Sequence, residues 1–504
     1  MMQNSSLSSG SEYTSLFEIV DIPVPSALVE MTPGVTENLP LTKYILRTQS
    51  SRLCDDTSTS NVSEIDSLLQ RDIQDRIVEV GDGISADLFP DEAFGFPIND
   101  QFVKNFCGSV ISSSKLVDTG NFKNEEMTAT FLNRMVTTIA DFLHSTKKTS
   151  LKPLRYFSAQ ATKPIQGSPV KVKPDILTVP LIDGCIREEG LGWKEVQSII
   201  EHTQERKAPP RMRETIRTKT YMTFCNQPER DFIPFLCILK DSFYIVVSDH
   251  SGQIETFPTS FGLTGSTLVF FRLVMGLAFL PSSYLGLDPT IFRRDDSMSS
   301  AKKMSDAYPP YNYDIPNPNI KLFVSDSSTI ITSKPNFDWK GDKGIVSISI
   351  NDKTYKVIRI LFHAQTLIGR ATKAFLVEFP DGRLGVLKDS WILSGRANEA
   401  SFLKGLDIPF GPQLVDYCVL GNTRTFRDNP ITMCLKPGYR TKQRILTYPA
   451  GVHISDFSCL WELMAALLDI VICMFNFIIL FDHSTNFDML FSHILSRIPQ
   501  KDSP

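Results

Sequence analysis

The nine cysteines include no Cys-x-x-Cys pair, and none of the seven histidines stands at ligand spacing from a cysteine or another histidine. Neither the usual zinc site nor a dense disulfide framework is therefore written here. Thiols scattered in this way read as reduced. The first twenty residues also lack the basic start and apolar core of a secretory signal, so the expected address is intracellular, cytoplasmic or nuclear. An excess of charge of one sign is missing too: 52 Lys and Arg stand against 56 Asp and Glu, a net charge of −4. No strong overall field draws the molecule to nucleic acid or to an anionic membrane, and no nucleic-acid partner is expected. What the chain does have is an ordinary globular composition, with 42% hydrophobic and 21% charged residues. Its 504 residues exceed the ~150 of a typical domain about threefold, which suits two domains with disordered flanks.

Residues 1–65 form an arm rich in Ser and Thr, without a sustained period of 3.6 or 2. So little apolar surface does not offset the entropy of ordering, so the arm is expected to be disordered, with order beginning near Asp66. Phe131, Leu132, Met135, Ile139, Phe142 and Leu143 recur at helical spacing, which predicts a core helix over roughly 130–145. Ile233–Leu239 and Phe243–Val247 flank a short polar link and predict an antiparallel hairpin. Thr267–Leu280 is an apolar run of 14 residues, too short to span a bilayer, and reads as a buried helix stopped by Pro281. Together, 66–292 read as an N-terminal α+β domain. Four prolines and the Arg293-Arg294-Asp295-Asp296 run make 293–319 a linker.

Beyond the linker, alternating Val346, Ile348 and Ile350, the Asn351-Asp352 turn and the run through Ile360 begin a second sheet. Ala374–Phe379 and Leu384–Leu387 enclose Pro380-Asp381-Gly382-Arg383, a strong hairpin signal, and a helix is expected through 398–406. Within this region Gly369-Arg370-Ala371-Thr372 precedes a strand, and Lys388 closes the next one. A glycine turn lets backbone approach phosphates closely, and an ammonium from a neighbouring strand neutralises part of their charge. Glu399, eleven residues on, is placed to hold that lysine.

The words around these residues carry a resemblance. Ile368–Thr372, Val386-Leu387-Lys388-Asp389-Ser390-Trp391 and Asn398-Glu399-Ala400 resemble the fungal-type protein kinases, a divergent branch of the protein-kinase-like fold. Lys173-Pro174-Asp175, Gln227–Phe232, Asp249–Gly252 and Gly286–Ile291 upstream, and Arg440–Arg444, Gly451–Phe457 and Glu462-Leu463 downstream, continue it in order over roughly 95–475. The resemblance implies an α+β protein: an accessory domain, then a kinase-like small lobe (320–435), then an incomplete helical large lobe (436–504). It implies ATP as cofactor, with Gly369, Arg370, Ala371 and Thr372 over the phosphates, Lys388 on the α/β phosphates and Glu399 orienting it.

Departures from the family pattern are equally informative. The family's Gly-Arg-Gly-Thr is here Gly369-Arg370-Ala371-Thr372, one glycine poorer. Neither a His-Arg-Asp loop nor Asp-Phe-Gly occurs, so the general base and both metal ligands are missing and Mg²⁺ is not expected. Where the loop is due the chain reads Phe481-Asp482-His483-Ser484-Thr485-Asn486-Phe487-Asp488, with sixteen residues after it. The expectation is a kinase-family protein that transfers no phosphate, either a degenerate pseudokinase or one whose C-terminal sequence derives from an intron or frameshift. The rival reading is a non-catalytic interaction protein, and the protein substrate or partner stays unnamed. Residues 459–481 are strongly apolar, but Glu462 and Asp469 make a bilayer span costly, at about 2.5–3.5 kcal/mol for a charge near its centre. A helix packed on the large lobe is preferred.

Three upstream features remain. Pro174-Asp175 followed by Glu201-His202-Thr203 is similar to the Pro-Asp…Glu-x-Lys pattern of metal-dependent nucleases, but threonine stands at the lysine position, so a β-rich accessory domain without metal is expected. The basic stretch Arg206–Lys219 reads as a solvated loop. His250, just after a strand, reads as turn chemistry rather than a catalytic base.

Overall fold

The computed structural model describes residues 62–451 apart from 74–75, 82, 112–122, 147–150, 160–164, 166–171, 182–190, 262–264, 294–343, 394–395, 397, 405–410 and 424–438, together with positions 464, 467, 468 and 471. The arm before Val62, nearly all of the expected linker, the stretch 320–343 and, apart from those four positions, everything past Gly451 lie outside the described residues. The statements below concern the described residues.

The first helix, α1 (Val62–Ile73), starts just ahead of the expected onset at Asp66. Short helices α2 (Ile84–Leu88) and α3 (Asp91–Phe94) follow strand β1 (Ile77–Val80). Helix α4 (Asp100–Ile111) leads to α5 (Glu125–Ser145). The helix α5 begins five residues before the apolar stripe reaches Thr130, because Asn124 caps it: its side-chain oxygen accepts from the Met127 amide at 2.8 Å. Its first turn, Glu125 and Glu126, suits the helix dipole and carries no apolar signal.

Strands β2 (Arg155–Ala159), β3 (Ile176–Pro180) and β4 (Ser198–His202) form an antiparallel meander. Helix α6 (Pro210–Asn226) then crosses over, so β5 (Phe232–Ile238) lies parallel to β4. The expected hairpin is present, β5 pairing antiparallel with β6 (Ser242–Asp249), and β7 (Gly252–Thr256) returns beside it. The order is β1-β7-β6-β5-β4-β3-β2, with a short β8 (Thr259–Ser260) on β6. Both faces are covered, which is why β5 and β6 read as continuous apolar runs rather than as alternation. Leu236 and Ile238 pack with Phe102, Phe142 and Phe271, the layer of α4, α5 and α7 (Ser266–Phe279). Phe235 and Cys237 pack with Leu69, Met212 and Ile216, the layer of α1 and α6. Helix α7 is the buried helix expected before Pro281.

The second sheet is antiparallel throughout, ordered β14-β15-β13-β12-β11-β10-β9. Its strands are β9 (Ile291–Arg293), β10 (Ile345–Ile350), β11 (Lys353–His363), β12 (Lys373–Glu378), β13 (Leu384–Leu393), β14 (Gln413–Asn422) and β15 (Arg440–Tyr448). The helix expected over 398–406 is α8 (Glu399–Lys404), and it packs beside β14. Both expected hairpins are present, and the Asp381 carboxylate braces one turn by accepting from the Arg383 amide at 3.1 Å. The sheet overruns the expected 320–435 at both ends, since β9 pairs with β10 and β15 lies between β13 and β14. The architecture is mixed α+β. No described helix is long and apolar enough to cross a membrane.

Candidate functional site

Strand β13 places Lys388 opposite Ala374 of β12 and Ile445 of β15. Its neighbour Leu387 points into the apolar core with Phe375 and Leu446, so strand alternation turns Lys388 to the other, partly open face. There its ammonium donates to both Glu399 oxygens, at 2.8 and 2.6 Å. Glu399 stands in the first turn of α8, where the helix dipole favours a carboxylate. The two sequence-predicted partners are thus brought together.

The glycine loop is held differently from an open turn. Gly369 has φ +131°, a left-handed value that favours glycine, and its amide donates to the His250 carbonyl at 3.0 Å. Ala371 takes φ +40°, so the residue replacing a family glycine occupies a conformation costly for a side chain. The Trp391 amide donates to the Arg370 carbonyl at 2.7 Å, folding the loop onto β13. Leu367 and Ile368 are buried in the α1/α6 layer of the first sheet. The Arg370 side chain is exposed and Thr372 is partly so.

His250 is not a surface turn residue. Asp249 does the turn chemistry, its carboxylate accepting from the Ser251 and Gly252 amides. The His250 ring is buried, 4.3 Å from the Phe224 ring and 5.9 Å from the Trp391 ring, with Nδ1 3.3 Å from the Leu367 carbonyl oxygen. Burial, with the Lys373 charge nearby, holds its pKa well below the usual histidine range.

Several residues quoted only as landmarks form a buried charge network between the two sheets. Lys442 of β15 contacts Asp231 at 2.7 Å and also Asp288. Arg444 chelates Asp389 at 2.6 and 2.7 Å and reaches Asp288 at 3.1 Å. Burial alone would raise the Asp288 pKa, but the Lys442 and Arg444 charges override it and hold the carboxyl well below the usual range. Sequence reasoning assigned these residues no role, although the recurrence of charged residues in Gln227–Phe232, Gly286–Ile291 and Arg440–Arg444 was the signal available.

The basic stretch is a solvated loop only as far as Pro209. From Pro210 it is α6, with Arg217 and Lys219 buried and Arg213 paired with Glu255 at 2.8 Å. Lys219 donates to Glu201 at 2.5 Å inside the first domain. Burial pushes the Glu201 carboxyl up to about 7, against the pull of Lys219, and the Asp175 charge adds to the rise. No group of three or more His, Cys, Asp or Glu among the described residues is spaced to hold a metal ion.

With this geometry in view, residues 181–409 match the family model of the fungal protein kinases. That stretch is similar to the fungal protein kinases. The match runs from the end of β3 to just past α8, narrower than the 95–475 of the resemblance. It takes in Glu201, Lys219, the glycine loop, Lys388 and Glu399. No curated protein and no solved structure matches the chain.

Proposed function

We propose that residues 345–448 form a nucleotide-binding small lobe of protein-kinase type, preceded by an accessory domain. The observation that carries this reading is the Lys388–Glu399 ion pair on a sheet ordered β14-β15-β13-β12-β11. A strand lysine held by a helix glutamate is the arrangement that presents an ammonium to the α/β phosphates of ATP. Lys388 stays partly exposed, so its charge is reachable by a polyanion, and Arg370 adds a second exposed cation on the adjoining loop. ATP, when bound, supplies the triphosphate; Lys388 binds it, Glu399 orients Lys388, and Gly369–Thr372 closes one side. The Gly369 amide is already given to His250, so the loop meets phosphate through Arg370 and Thr372 rather than through that amide. The 504 residues contain neither a His-Arg-Asp loop nor Asp-Phe-Gly, so this chain by itself binds nucleotide without transferring phosphate.

One observation favours the competing reading, an interaction module that needs no nucleotide: Leu367 and Ile368 anchor the loop in the first domain's core. Thermal unfolding with and without Mg-ATP separates the two. Ligand at 100 times its Kd adds about 2.7 kcal/mol. Lys388→Met removes the shift at little intrinsic cost, about 0–1 kcal/mol for a partly exposed ion pair. A wild-type curve that ignores Mg-ATP, or a Lys388→Met curve that shifts as wild type does, leaves the scaffold reading.

A further inference from the structure

The Asp175/Glu201 pattern lacked its lysine in sequence, and the fold supplies one. Ile176 pairs with Ile200 across antiparallel β3 and β4, so Asp175 at the head of β3 stands across from Glu201 on β4. The Asp175 carboxylate accepts from the His202 amide at 2.9 Å, which fixes it beside the glutamate. Thr203 occupies the expected lysine position, but α6 crosses back over the sheet and lays Lys219, fully buried, against Glu201 Oε1 at 2.5 Å. Three elements therefore converge two carboxylates and an ammonium at one end of the meander.

An isolated buried ion pair has little reason to be there, because well-packed apolar residues of the same volume serve stability as well. Here a second carboxylate, partly exposed, is added beside the pair, leaving more negative than positive charge. That combination suits a divalent cation. Mg²⁺ keeps several waters and is commonly bound by one or two protein carboxylates plus substrate phosphate, so no third ligand is needed. The segment leaving Glu201 also carries exposed cations: Lys207 and Arg211 are solvent-facing, and Arg206 touches only the exposed Asp241 among carboxylates, at 3.3 Å. Net charge concealed this local rim.

We propose that Asp175, Glu201 and Lys219 form a second site, which binds a divalent cation and hydrolyses the phosphodiester backbone of nucleic acid. Asp175 and Glu201 hold the cation against a non-bridging phosphate oxygen. Lys219 steadies the attacking water-derived hydroxide and the charge that develops on the phosphoryl oxygens. The water oxygen attacks phosphorus, its proton passes to solvent, one P–O ester bond breaks, and a metal-bound water returns a proton to the leaving alkoxide. The products are a phosphomonoester and an alcohol, with no redox change.

The full chain is incubated with supercoiled plasmid DNA and, separately, with a labelled single-stranded RNA, in Mg²⁺ or Mn²⁺ and in EDTA. Metal-dependent cleavage is expected, and whichever substrate is cut identifies the source of the phosphodiester. Asp175→Asn, near-isosteric and partly exposed, lowers the rate about 100-fold or more while its melting temperature in EDTA stays that of wild type. Glu201→Gln lowers it likewise. As a readout apart from turnover, Mg²⁺ raises the wild-type melting temperature and that rise vanishes in Asp175→Asn. Absence of cleavage on both substrates, with or without a Mg²⁺ shift, overturns the proposal, as does Asp175→Asn cutting at the wild-type rate.

Discussion

Lys442→Met tests whether the two sheets stand or fall together. The ammonium is 1% exposed and faces Asp231 at 2.7 Å and Asp288, whose side chain is 4% exposed. Methionine matches the stem but leaves Asp231 without this partner and Asp288 with Arg444 as its remaining ion-pair partner, beside the Thr290 amide and hydroxyl that donate to it. Removing one member of a buried pair costs about 3–5 kcal/mol, because the remaining charge stays desolvated. At roughly 2–4 °C per kcal/mol for a unit of 150–250 residues, the melting temperature falls by roughly 6–20 °C. Trp193 and Trp391 make the assay local, one buried in the first domain's core and the other on β13. Urea unfolding followed by fluorescence reads each sheet separately in a background where Trp339 and Trp461 are replaced by Phe and either Trp391→Phe or Trp193→Phe is added. Wild type unfolds in coincident transitions, and Lys442→Met shifts both down and splits them. Asp288→Asn costs less, since Lys442 keeps Asp231 and Arg444 keeps Asp389, and the double variant is less than additive by more than about 1 kcal/mol. A Lys442→Met loss below about 1 kcal/mol would refute the assignment of the network as the tie between the sheets.

Two further outcomes are open to measurement. Burial holds His363 at a pKa of about 3, with the Lys373 charge adding to the effect, against an ordinary value near 6.5. The unfolded chain therefore binds a proton that the folded chain refuses, and the stability contributed by neutral His363 is complete above about pH 6.5 and lost progressively down to about pH 3. At pH 5 the loss due to His363 is about 2 kcal/mol, and His363→Gln lowers the slope of the stability profile there, leaving the contribution of the buried His250 imidazole; an unchanged slope between pH 6.5 and 5 would count against a buried neutral His363. Gly286 has φ +94°, and a methyl group there would sit 2.0 Å from the Phe232 carbonyl oxygen. Gly286→Ala is expected to cost at least about 2 kcal/mol in urea unfolding, and a cost under about 0.5 kcal/mol would show that the β5 approach relaxes freely.

Much of the local structure was legible. The Asn351-Asp352 and Asp381-Gly382 hairpins and the β5–β6 pair announce themselves because alternation and turn chemistry act over a few residues. Helix α7 was legible because it is apolar all round and bounded by Pro281. Lys388 and Glu399 were legible together because eleven residues carry the chain from the strand to the neighbouring helix. Helix α6 was not, because Thr218, Lys219, Thr220 and Thr223 are all buried there, and a polar helix buried on several faces gives no apolar stripe. The three-residue strand β9 is too short to leave a pattern.

Composition, turn residues and periodicity determined the element types, the Lys388–Glu399 pairing and the absence of a His-Arg-Asp loop and Asp-Phe-Gly, since each depends on neighbours in the chain. Tertiary structure alone decided that β1 lies parallel to β7, that Lys219 meets Glu201 while Asp175 bonds the His202 amide beside it, that Lys442 and Arg444 bridge to Asp288, and that the glycine loop is anchored beneath His250. Each joins residues from elements that meet only when helices or other segments cross the sheets, so their charges become partners through burial and direction rather than through spacing along the chain.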